Sequence, residues 1–128
     1  HMDLPEYEDS MNTHFWAPLH AMQAVLPAMR SRGEGRIVNI ASVGGKVAVP
    51  HLAPYCASKF ALVGLSEGFR SELLQYGIQV TTVCPGLLRT GSARHAIVKG
   101  QHQKEYATFI IADSLAALTV SAESAARQ

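Results

Sequence analysis

An α/β fold built on a doubly wound parallel sheet is the class this sequence predicts, and three observations predict it. Two short segments rich in β-branched residues, Arg36 to Ser42 and Gln79 to Cys84, each end at turn-forming residues. Two longer segments, Ser10 to Met29 and Tyr55 to Tyr76, carry apolar residues at three- and four-residue steps. They alternate as helix, strand, helix, strand with short joints, the order of parallel strands linked by crossover helices.

In the first helix Phe15, Leu19, Met22 and Leu26 form the apolar stripe. Pro18 and Pro27 interrupt it, and a proline removes one backbone hydrogen bond and crowds the preceding turn, so a kink is expected near Pro18. Ser31, Gly33 and Gly35 make a polar exit into Arg36-Ile37-Val38-Asn39-Ile40-Ala41-Ser42, which reads as a buried parallel strand. Gly44 and Gly45 open a loop that runs through Pro50 and Pro54.

The second helix aligns Ala61, Leu62, Leu65, Phe69, Leu73 and Tyr76 on one face, and Gly77 stands where a C-terminal cap belongs. The second strand stops at Pro85-Gly86. Beyond it come a polar loop from Arg89 to Gln103, a helix around Lys104 to Ile111 and plus a last helix near Ala122 to Gln128.

With 128 residues the chain suits one domain. An apolar fraction of 48% against 16% charged residues favours a packed core over disorder. His1 and Met2 read as a cloning remnant, leaving 3–128 as a single domain. Eleven basic residues are scattered among ten acidic ones with no run or stripe to follow a phosphate backbone, which argues against nucleic acid. No apolar stretch reaches the length of a membrane span.

Cys56 and Cys84 lack metal-ligand spacing and read as reduced thiols of a cytoplasmic protein. The histidines, His14 and His20 among them, show no metal-ligand spacing either, and no Gly-x-Ser-x-Gly elbow is present. A hydrolase therefore has little support, and no metal is expected.

In open α/β sheets ligands bind beyond the carboxyl ends of the strands. Ser42 and Pro85-Gly86 occupy those ends. Tyr55 and Lys59 lie four apart at the start of a helix and so share a face. An ammonium beside a phenol stabilises the phenolate and brings it toward the range useful for acid-base work on a carbonyl or alcohol. Ser42 can donate a hydrogen bond to the same oxygen. The Tyr–Lys pair alone is an ordinary helix start, and a serine ending a strand is an ordinary turn former. The joint placement carries the weight: Ser42 thirteen residues before Tyr55, and Thr90 four past Gly86.

With these residues in place, the sequence resembles the short-chain dehydrogenases/reductases. Gly35 to Ser42 looks like that family's catalytic-serine strand, Tyr55-Cys56-Ala57-Ser58-Lys59 matches its Tyr-x-x-x-Lys motif, and Pro85 to Thr90 matches its Pro-Gly segment. The resemblance runs from about Asn12 to Thr90 and then weakens. It implies a partial Rossmann-type sheet and hydride transfer between NAD or NADP and a small alcohol or carbonyl substrate.

By the same resemblance Tyr55 would be the general acid/base, and Lys59 would bind the nicotinamide ribose hydroxyls. Ser42 would polarise the substrate oxygen, and Asn12 would hold a water that relays protons to Lys59. Pro85, Gly86, Leu88 and Thr90 would meet the nicotinamide end of the cofactor, Thr90 near its carboxamide. Residues from Arg89 to about Ile111 would set specificity. Ile97, Tyr106, Phe109 and Ile110 there either line an apolar substrate pocket or pack as a lid.

The family's Gly-x-x-x-Gly-x-Gly turn, which holds the cofactor pyrophosphate, does not occur in the sequence. The chain is thus expected to be the C-terminal catalytic part of such an enzyme, inactive alone. A homo-oligomer is expected from an apolar strand edge and the two helical faces. The rival from another class is a non-catalytic self-association module. Nicotinamide fluorescence titration of the purified chain should show no tight NADH or NADPH binding. Submicromolar binding would overturn that expectation.

Overall fold

The structure, a computed structural model, describes residues 2–90 and 119–127, with the backbone alone at Arg89. The expected helix at 104–111 and the loop residues Ile97, Tyr106, Phe109 and Ile110 lie outside the described residues. The chain divides into two compact units, Met2–Cys84 and Pro85–Gln128.

The first unit opens with α1 (Leu4–Met11), a π turn (Asn12–Trp16) and α2 (Ala17–Arg32), stacked end to end as one long helix. It begins earlier than its apolar stripe suggests, because the Asp3 backbone N–H donates to Glu6 Oε2 at 2.8 Å and Pro5 sits in the first turn, where no backbone donor is needed. The distortion expected at Pro18 takes the form of the π turn. The ring of Pro18 opposes the carbonyl four residues back, that of His14, and the helix relieves the crowding by widening, with the Ala17 N–H reaching the Asn12 carbonyl.

β1 (Gly35–Ile40) follows, then a single 3-10 turn (Val43–Gly45), α3 (Ala53–Leu73), a second 3-10 turn (Leu74–Tyr76) and β2 (Ile78–Val83). β1 and β2 pair in parallel from Gly35 opposite Ile78 to Ile40 opposite Val83. Gly77 takes the left-handed φ of 69° that the cap requires, and a Cβ there would run into the Gly33 carbonyl.

Met22 and Leu26 of α2, Leu73 of α3, and Ile37, Ile78 and Val80 of the strands form the main core, with Met29, Leu65, Phe69 and Tyr76 packed against it. Ala41, Leu62 and Val63 form a second cluster under the carboxyl end of β1. One correction concerns β1. Its burial alternates, with Ile37 and Asn39 inside and Val38 and Ile40 each 58% exposed. Only one face of the pair is covered among the described residues.

A buried polar link ties the layers together. Asn39 Nδ2 on β1 donates to Ser66 Oγ on α3 at 2.8 Å and touches Met22 Sδ on α2 at 3.4 Å. Ser66 Oγ in turn donates to the Leu62 carbonyl at 2.7 Å. Ser66 is 0% exposed, so no water can replace it.

The second unit holds β3 (Leu88–Arg89), β4 (Val120–Ser121) and α4 (Ala122–Ala126). β3 and β4 pair in parallel, Leu88 opposite Val120. Ser121 caps α4, its Oγ accepting from the Ser124 N–H at 3.1 Å.

Replacing Ser66 with Ala leaves the Asn39 amide without its partner in the core. Urea unfolding should register a loss of about 1–3 kcal/mol. An unchanged midpoint would show that the link contributes nothing.

Candidate functional site

The site grows from the carboxyl end of β1. After Ile40 the backbone stays extended through Ala41 and Ser42, with Ala41 N–H donating to the Val83 carbonyl at 2.8 Å. Ser42 then caps the short 3-10 turn, its Oγ accepting from the Gly44 N–H at 3.1 Å. That bond uses an acceptor position of the hydroxyl and leaves its proton to donate elsewhere.

Two glycines let α3 come down onto this turn. A Cβ at Gly45 would stand 2.7 Å from the Lys59 carbonyl oxygen and 2.9 Å from its carbon, with Val63 Cγ2 at 3.0 Å. A Cβ at Gly44 would stand 3.0 Å from Tyr55 Cε1 and 3.5 Å from Ser42 Oγ. The turn and the helix backbone are therefore in direct contact, and Ser42 and Tyr55 flank the same glycine. Sequence reading took this pair only as the start of a loop. Two successive glycines at a strand's carboxyl end are a signal of close backbone approach.

Tyr55 occupies the third position of α3, half-buried, and Lys59 follows one turn later. Lys59 Nζ lies 5.8 Å from the Tyr55 ring centroid and donates to the Ile40 carbonyl at 3.3 Å. Burial pushes its ammonium below the ordinary lysine value of 10.5, against a smaller opposing pull from Cys84. Ser42, Tyr55 and Lys59 thus meet around one strand end.

Asn12 opens the π turn, is exposed, and borders a groove with Leu4, Tyr7, Glu8, Met11 and Trp16. Two residues on, His14 reaches the cluster. Its ring meets the Tyr55 ring edge to face, centroids 5.4 Å apart and planes at 87°. Burial, then the charge of Lys59, lowers its proton affinity below the ordinary value of 6.5, while Asp9 pulls the other way. Sequence spacing passed over His14, although Pro18 four residues later marks the turn that redirects it.

Pro85, Gly86, Leu88 and Thr90 belong to the second unit, where the Thr90 N–H donates to the Leu88 carbonyl at 2.8 Å. Among the described residues, no group of three or more His, Cys, Asp or Glu is placed to hold a metal. No described helix is long and apolar enough to cross a membrane.

A family model described as short chain dehydrogenase matches residues 1–101. The human protein 17-beta-hydroxysteroid dehydrogenase 13 is 40% identical over 92 residues, 70% of this chain and 29% of its own length. The 3-ketodihydrosphingosine reductase of Bacteroides thetaiotaomicron is 42% identical over 86 residues, 67% of this chain and 32% of its own. The chain thus spans about a third of the length of these two curated relatives. Among solved structures, a gluconate 5-dehydrogenase from Burkholderia cenocepacia in complex with NADP and tartrate is similar with a TM-score of 0.70. It is 26% identical, and the match covers 94% of this chain and 55% of that one.

Alanine substitution distinguishes a glycine under the contact from one clear of it. Gly45→Ala should destabilise the chain by about 1–3 kcal/mol, because only backbone can give way. Gly64→Ala, in mid-helix with nothing within 4 Å of the added carbon, should stabilise it by about 0.5–1 kcal/mol. Chemical unfolding of both variants checks the pair. Equal effects would mean that the turn does not rest on the helix.

Proposed function

The chain belongs to the short-chain dehydrogenase family, and from that premise we propose that it carries the acid-base site of an NAD(P)-dependent oxidoreductase acting on a small alcohol or carbonyl substrate. The convergence of Ser42, Tyr55 and Lys59 on the end of β1 is the observation that supports this reading most strongly.

The residues fit a nicotinamide cofactor. Lys59 spends one of its three ammonium donors on the Ile40 carbonyl, and the remaining two suit a vicinal diol such as a ribose. When bound, NAD or NADP supplies the hydride acceptor or donor. Pro85, Gly86, Leu88 and Thr90 are proposed as contacts of its nicotinamide end, from their match to the family's Pro-Gly segment.

In the reductive direction Tyr55 gives its phenolic proton to the substrate oxygen as the carbonyl carbon is reduced. Ser42, whose Oγ already accepts from Gly44, directs its own proton at that oxygen and fixes its position. The ammonium of Lys59 offsets the negative charge left on the phenol oxygen. In oxidation the same proton returns to Tyr55. Lys59 is held by the Ile40 carbonyl, so its charge is in place before substrate arrives. Asn12, which opens the π turn, is kept as a proposal from its match to the family: it would hold a water that relays protons to Lys59.

The two thiols, Cys56 and Cys84, are free, which supports a reducing, cytoplasmic setting. A second reading, self-association without catalysis, draws support from the exposed Val38, Ile40 and Val83 on the open face of the sheet.

One experiment separates the readings: nicotinamide-linked turnover of a panel of alcohols and carbonyls by the full-length gene product that carries this sequence. Tyr55→Phe should cut kcat by about a hundredfold to ten-thousandfold, and Ser42→Ala by about a hundredfold. A gene product indifferent to Tyr55→Phe would leave only the association reading standing.

A further inference from the structure

His14 stands outside every role assigned above, yet its ring meets that of Tyr55. We propose that His14 is a positioning residue of this site: its imidazole holds the Tyr55 ring by edge-to-face contact from the side of the long helix. The proposal rests on the oxidoreductase reading and extends it to a residue which that reading does not use.

The geometry carries it. The imidazole and phenol rings are 5.4 Å apart between centroids at 87°, the T-shaped arrangement in which a positive ring edge meets a negative ring face. Both rings are half-buried. The Tyr55 ring is bounded as well by Gly44, whose added Cβ would lie 3.0 Å from Cε1, and by Lys59 Nζ at 5.8 Å from its centroid. The ring is thus bounded by two other elements, the glycine turn and the long helix, and by the ammonium one turn along its own helix. Of these only His14 can change its charge near neutral pH.

The helix is shaped for this contact. His14 sits in the middle of the π turn, and the extra residue in that turn re-phases the helix by about 100°. Met22 and Leu26 of α2 remain buried in the core while His14 faces α3. Pro18, by crowding the His14 carbonyl, puts the widening at this turn.

The charges that act on His14 are Lys59, across the contact on α3, and Asp9, on its own helix; Tyr55 is the titratable group it touches. Burial and Lys59 both disfavour the imidazolium, and Asp9 opposes them without prevailing. The balance favours the neutral imidazole, which takes up its proton at a lower pH than an ordinary histidine. Protonation then sets a cation beside Lys59. Activity should fall on the acid side for that reason, as the imidazolium repels the ammonium that Tyr55 depends on.

The test uses the full-length gene product, with Tyr55→Phe as reference. His14→Ala should lower kcat about tenfold at pH 8, the equivalent of one lost aromatic pair, with cofactor KM changed less than about threefold. His14→Phe keeps a flat ring and should recover kcat to within about threefold, while the acid limb due to His14 disappears. The His14 imidazole signal in NMR, identified by its absence in His14→Phe, should titrate below 6.5 and move upward in Lys59→Met.

If Tyr55→Phe is inactive but both His14 variants match the parent in rate and pH profile, the proposal for His14 is wrong and the oxidoreductase reading survives. An imidazole that titrates at or above 6.5 and ignores Lys59→Met also overturns it. Full activity of Tyr55→Phe removes the oxidoreductase reading itself. Should His14→Ala fail to fold, His14→Phe and the imidazole titration still decide.

Discussion

The backbone contact between the Gly44–Gly45 turn and α3 is the constraint from which the rest of the site follows. Side chains at a strand end and at a helix start can cooperate only if the two backbones come close. Any Cβ at Gly45 would press on the Lys59 carbonyl, so the absence of one is what lets the helix settle. Once it has settled, Tyr55 lies over Gly44 and the Lys59 stem turns back to the Ile40 carbonyl. The separation between hydroxyl, phenol and ammonium is then set by main chain, which is stiffer than side chain and holds position to the tolerance that proton transfer needs.

Polar groups inside the first unit serve the same end from beneath. The amide of Asn39 bridges the strand to α3 through Ser66 and touches α2 through Met22. A wholly apolar core would allow α3 to slide along the sheet at little cost, whereas a buried hydrogen bond is satisfied in one register only. Ser66 lies two turns beyond Lys59 on the same helix, so the register that satisfies Asn39 is also the register that sets Tyr55 and Lys59 at the strand end. Lys59 itself is a compromise. Partial burial works against its charge, and a single carbonyl compensates in part, leaving an ammonium with donors to spare.

Much of this was legible in the residues. Short β-branched runs ended by turn formers located β1 and β2, and three-to-four-residue periods located the apolar stripe of α2 and the face of α3, because burial of one helical face imposes that period whatever the protein does. Tyr55, Lys59 and Ser42 could be singled out because their chemistry depends on local spacing, four residues on one helix and the tip of one strand. The open face of β1 was not legible. Val38 and Ile40 read as buried, since an apolar run carries no record of how many of its faces are covered.

The helix before β1 shows where the boundary between sequence and structure lies. Pro18 announced a distortion, and sequence alone determined that one would occur, along with the strand-end hydroxyl and the phenol–ammonium pair. It did not determine the form of the distortion. Whether the helix bends or widens depends on what packs against it, and the widening sets the phase of every side chain beyond. Only the tertiary structure decided that His14 meets Tyr55, because the direction of a helical side chain is a sum over turns, and one wider turn changes the sum.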